Sequence, residues 1–293
     1  MPRGVLVATS RWPSELVLVR HGESLGNLAD EQARERGAQR LEIELRDADV
    51  PLSDTGKEQA DAVGRLLAEL GTDDRPDVVV CSPYRRAAET AERALAGAAR
   101  SGNGASLSGD RASRSGNGAS GVAGGSGLAG PGDLVVDERL RERDLGAFDR
   151  LTWRGIEAEY AAEAQRRSHV GKFYYQPPSG ESWCDVTLRV RSILADLREG
   201  YEGRRVWLFT HQAVIMSFRY VLEDLTEAEL LDIDKRERLP NCSVTRYRAG
   251  DRAMELVSFA DTGALDRFGA EHTEEPSKGE RSGETAAGVH GDG

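Results

Sequence analysis

The sequence predicts an α/β domain in three layers: a mostly parallel sheet between two layers of helices, with an antiparallel strand at its edge. Three observations carry this. Short runs dominated by apolar residues recur at 16–19, 77–81, 134–136 and 205–209, as expected of strands buried on both faces. Amphipathic segments separate them, so strand and helix alternate. Two further strand-like segments, 242–247 and 254–259, flank Ala249-Gly250-Asp251, which predicts a hairpin at the sheet edge.

Taken in order, residues 15–20 form the first strand. The polar stretch 28–49, rich in Glu, Arg and Ala, reads as a partly helical excursion over the strand end. Ser53 or Asp54 is a suitable N-cap for a helix running to about Leu70. Ala60, Val63, Leu66, Leu67 and Leu70 make one stripe on it. The second strand, DVVVC at 77–81, ends at Ser82-Pro83, and a helix follows over 86–96. Leu134-Val135-Val136 resumes the sheet. A helical stretch is expected near 152–165, a Pro/Gly loop at 174–182, and an amphipathic helix over 183–198. The strand RVWLF at 205–209 then leads through Thr210-His211 into an apolar helix at 214–222.

Composition sets limits on function. The chain has 293 residues, 39% hydrophobic and 30% charged, and a net charge of -11. That charge argues against nucleic acid as a partner. From Asp261 onward eight acids face three bases. No apolar run approaches the roughly 20 residues of a membrane helix, and the apolar residues at 4–8 are too few for a signal-peptide core. Cys81, Cys184 and Cys242 are odd in number and lack C-x-x-C spacing, which fits reduced thiols and a cytoplasmic location. We expect an N-terminal extension at 1–14, the α/β domain at 15–260 and an acidic, disordered tail at 261–293. The domain is interrupted by a Gly/Ser-rich insert at 97–132 that contains RSGNGAS twice and reads as disordered. Within it GNGASG fits a dinucleotide-binding pattern but lacks the strand and helix that pattern requires.

The chemistry-bearing residues stand at strand ends, where open α/β sheets bind ligands. Arg20-His21-Gly22 ends the first strand. Such a histidine, kept neutral by neighbouring cations, can attack phosphorus and carry the phosphoryl group. Arg20 can fork to phosphate oxygens, and Asn27 is a neutral donor to the same group. Arg85 and Arg86 follow the second strand and His211 ends the fourth. His169, His272 and His290 lie in loop or tail sequence and receive no role. There is no H-x-H or H-E-x-x-H, so no metal site is expected, and no cofactor.

Arg20-His21-Gly22-Glu23-Ser24, with Asn27, resembles the histidine phosphatase superfamily, whose members include phosphoglycerate mutases and fructose-2,6-bisphosphatases. SPYRRAAETA at 82–91 and RLRERDLG at 139–146 are similar to that family's motifs. The resemblance implies a phosphoglycerate mutase-like fold, Arg86 as a phosphate ligand, Glu142 as proton donor and His211 as a second phosphate-facing histidine. KFYYQPPSGESW at 172–183 and His211-Gln212-Ala213-Val214 look most like the fructose-2,6-bisphosphatase branch. By that likeness Trp153, Lys172, Trp183 and Gln212 face the organic part of the substrate. Met216 stands where that branch carries an arginine. The implied activity is metal-independent hydrolysis of a small phosphate ester, a sugar phosphate among the candidates. A phosphoglycerate mutase-type phosphotransferase and a non-catalytic phospho-ligand binder are the alternatives.

Overall fold

The structure, a computed structural model, describes residues 11–101 and 134–274. Among these residues six strands form one sheet in the order β3-β2-β4-β1-β5-β6. They are β1 (Glu15–Arg20), β2 (Val78–Cys81), β3 (Leu134–Val136), β4 (Arg205–Thr210), β5 (Val244–Ala249) and β6 (Met254–Asp261). The first four are mutually parallel, and β5 runs antiparallel to β1 and to β6. The hairpin β5–β6 thus closes one edge of the sheet. Among the described residues no helix is long and apolar enough to cross a membrane.

Side-chain alternation on the strands builds a core on each face. On one, Leu16, Leu18, Val206 and Leu208 pack with Val186, Val190, Ile193 and Leu197 of α6 (Trp183–Gly200) and with α7 (Gln212–Leu222). On the other, Val17, Val19, Trp207 and Phe209 pack with Ala60, Val63 and Leu67 of α2 (Asp54–Glu69) and Ala91 and Ala94 of α3 (Arg85–Ser101). Ser53 is the N-cap of α2, its Oγ accepting from Gly56 N–H at 2.9 Å.

Several boundaries differ from the sequence reading. Helix α3 continues to Ser101, past the expected start of the insert at 97, with Gly97 set against Gly64 of α2 and Ala98 packed on the same core. The remainder of the insert lies outside the described residues, as do 275–293 and 1–10. The helical stretch near 152–165 divides into α4 (Trp153–Glu159) and α5 (Ala161–Val170), broken where Tyr160 adopts φ -133°, ψ 44°. The segment 223–241 contains α8 (Glu227–Arg236), opened by a Thr226–Glu229 capping box. The expected tail at 261–293 is structured at its start. There β6 reaches Asp261, and α9 (Gly263–Phe268) inserts Leu265, fully buried, beside α2. Beyond it Gln59 Nε2 donates to Glu271 O at 2.8 Å and to Thr273 Oγ1 at 2.9 Å.

Candidate active site

Parallel pairing brings the two histidines together. Arg20 pairs with Thr210 in register, and His21 N–H donates to Thr210 O at 3.0 Å. The next residues, His21 and His211, therefore emerge side by side, ring centroids 5.0 Å apart. Cys81 pairs with Phe209, which places Ser82 beside His211, and Ser82 Oγ hydrogen-bonds His211 Nε2 at 2.8 Å. Both histidines are buried, His211 completely.

The environment of His21 selects its tautomer. Nδ1 lies 2.7 Å from the carbonyl of Gly22, which can only accept, so Nδ1 carries the proton. In the neutral ring the lone pair is then on Nε2. Arg86 Nε donates to that atom at 3.3 Å, so Nε2 and a buried guanidinium face one point. The His21 carbonyl is fixed in turn by Asn241 Nδ2 at 3.0 Å and Cys242 N–H at 3.2 Å. Gly22 and Gly56 let the loop after β1 lie directly on α2: a Cβ at Gly56 would stand 1.9 Å from Glu23 O.

A cavity of about 40 Å³ opens above His21. Of the residues predicted from sequence, Arg20, His21, Asn27, Arg86, Glu142, Trp183 and Gln212 line it. Arg20 and Arg86 are buried, and Arg20 donates to the carbonyl of Leu239. Asn27 is oriented by the capping box of α1 (Leu25–Glu35). Its Oδ1 accepts from Ser24 N–H at 2.8 Å and Ser24 Oγ–H at 3.0 Å, so its amide NH₂ is the face that can donate to an anion. Glu142 is buried, with Oε1 accepting from Arg143 N–H at 2.8 Å.

The organic-side residues are only partly gathered. Lys172 Nζ bonds Asp234 Oδ2 at 2.6 Å, and Gln212 Nε2 donates to Asp234 Oδ1 at 3.3 Å. Lys172 also stands 5.2 Å from the ring centroid of Trp183. These three form one cluster about Asp234. Trp153, the first residue of α4, lines instead an adjoining cavity of about 50 Å³, which shares Gly26, Asp47 and Leu145 with the first. Met216 is buried with Phe173, Trp183 and Leu230, so that position packs the base of the cluster.

Sequence reasoning missed four neighbours. Ser82 reads as a strand terminator and motif residue without a role, although it bonds His211. Asp47, in the polar excursion, bonds Arg86: Arg86 Nη1 donates to its carbonyl at 2.6 Å and Nη2 to Oδ2 at 3.2 Å. Arg143 lines the cavity, and Asp234 organises Lys172 and Gln212. Tyr84 packs edge-on to His211 at 5.3 Å and beneath the Arg86 guanidinium at 5.1 Å. Burial, and secondarily Asp47, push its phenol up to about 12, so it stays neutral. Among the described residues no group of three or more His, Cys, Asp or Glu is placed to hold a metal ion.

With this geometry in hand, the relatives fall into one group. The chain is 28% identical over 265 residues to the probable phosphoglycerate mutase GpmB of Enterobacter sp. (strain 638), covering 87% of this chain and 98% of that one. It is 30% identical over 220 residues to the bifunctional protein Rv2228c of Mycobacterium tuberculosis, covering 72% of this chain but only 45% of that longer relative. The solved mycobacterial glucosyl-3-phosphoglycerate phosphatase Rv2419c, in complex with VO3, shares the fold. Its TM-score is 0.56 at 23% identity, over 85% of this chain and 100% of that one. The family model of the histidine phosphatase superfamily (branch 1) matches residues 16–101 and 113–262. The chain belongs to the histidine phosphatase superfamily.

Proposed function

We propose that the protein is a metal-independent phosphomonoesterase that acts on a small phosphorylated metabolite through a phosphohistidine on His21. The observation that carries this is the Nδ1–Gly22 O bond, which leaves Nε2 as the nucleophilic atom inside a cavity lined by Arg20, Arg86 and Arg143. In this reading Nε2 attacks phosphorus in line with the ester oxygen. Arg20, Arg86 and the Asn27 amide bind the non-bridging oxygens, and His211 donates to the same group as charge develops. Glu142 gives its proton to the leaving alkoxide and then takes one from the water that hydrolyses the phosphohistidine. Trp183, Gln212 and Lys172 contact the alcohol portion, with Trp153 on its far side.

A phosphoglycerate mutase-type transfer is the second reading, favoured by the name of the Enterobacter relative. The two differ in what discharges the phosphoenzyme, water or a second alcohol. Turnover of phosphorylated metabolites with and without 2,3-bisphosphoglycerate separates them. We expect inorganic phosphate release that the bisphosphate does not stimulate; isomerised product that depends on it would support the mutase.

A further inference from the structure

The loop that carries Glu142 is held from outside the cavity by one half-buried ion-pair cluster. Arg189, on α6, has a side chain only 9% exposed and lines neither cavity. Its Nη1 donates to Arg139 O at 2.5 Å and its Nη2 to Glu142 O at 3.3 Å. The same guanidinium is fixed by Glu181, through Nε at 3.0 Å and Nη2 at 3.1 Å. Glu181 also accepts from Arg141 Nη2 at 2.6 Å and from Asp144 N–H at 3.1 Å. As a mere join between helix and loop the pair would contribute little, because partial desolvation of two charges offsets much of their attraction. What this pair does that an apolar contact could not is fix two loop carbonyls, one of them Glu142's own.

We propose that Arg189, oriented by Glu181, is a positioning residue that sets where the Glu142 carboxyl stands relative to the leaving oxygen. A proton donor works only within hydrogen-bond reach of its target, and small misplacements cost disproportionately in rate. Lysine keeps the charge beside Glu181 but offers a single nitrogen, which cannot reproduce the fork. The proposal rests on Glu142 as the proton donor.

Full-length wild type, Glu142→Gln, Arg189→Lys and Glu181→Gln should be compared on β-glycerol phosphate, whose alkoxide needs a proton, and on p-nitrophenyl phosphate, whose phenolate does not. For Arg189→Lys we expect kcat to fall about tenfold further with the glycerol ester than with the nitrophenyl ester, with KM little changed. Glu181→Gln should follow in the same direction, and it keeps the test open should Arg189→Lys fold poorly. Glu142→Gln should show the largest split. A split in Glu142→Gln alone, with equal losses for both esters in the other two, overturns the positioning role and leaves Glu142 as donor. No split in Glu142→Gln overturns the donor assignment and the positioning claim with it.

Discussion

At the scale of single residues, one contact bears directly on ligand binding. Asp47 sets its carbonyl and carboxylate on Arg86, the arginine proposed above to bind phosphate. A dianion arriving there meets a carboxylate already on its cation and must share or displace it. Asp47→Asn removes that charge and keeps the carbonyl bond. Inorganic phosphate should then compete about tenfold more strongly in turnover assays, a change of roughly 1.4 kcal/mol. Weaker competition would mean that Asp47 holds Arg86 in place. The residues that sequence could name were those whose position follows from the chain alone. His21, Arg86 and His211 each come directly after a strand or its turn, and sheet pairing did the rest. Asp47 and Asp234 gave no such signal, since each acquires its role by meeting a distant residue: Arg86 is 39 positions from Asp47 and Lys172 is 62 from Asp234. Trp153 was readable as a pocket residue by likeness, but not the division of the pocket into two cavities.

At the scale of elements, the site depends on how closely the loop after β1 lies on α2. Gly56 N–H caps onto Ser53, and Ser53 Oγ donates to Glu23 Oε1 at 2.6 Å. The space above Gly56 is occupied by the Glu23 carbonyl. Gly56→Ala forces those backbones apart, an overpacking that costs about 1–3 kcal/mol. We expect a melting temperature lower by several degrees and weaker phosphate binding, because the displaced loop carries His21. Unchanged melting would show that the loop and helix have room to separate. The main helices and strands were legible because apolar spacing declares them. Helix α8 was not, for its only deeply buried apolar residue is Leu230 and its surface is charged. Helix α9 was obscured by the acidic composition around it, though Ala264 and Leu265 are buried.

At the scale of the whole molecule, the chain beyond 260 helps to support the site. Leu265 packs into the core shared by α2 and the sheet. Thr273 Oγ1 bonds both Gln59 and Asn241, at 2.9 and 3.1 Å. Those two side chains reach Glu23 N–H and the His21 carbonyl. Leu265→Ala should therefore destabilise by about 2–5 kcal/mol, read as a fall in denaturation midpoint, and a surface-like effect below about 0.5 kcal/mol would contradict this packing role. The fold thus converges on one atom, Nε2 of His21, from three sides: sheet pairing, the α2 contact and the C-terminal latch. The most direct test is to quench the full-length enzyme with base during turnover of a 32P-labelled ester and locate the label. We expect acid-labile, base-stable label on His21, absent from His21→Ala, which should also lose turnover. Undiminished turnover in His21→Ala, or label on another residue, would contradict it.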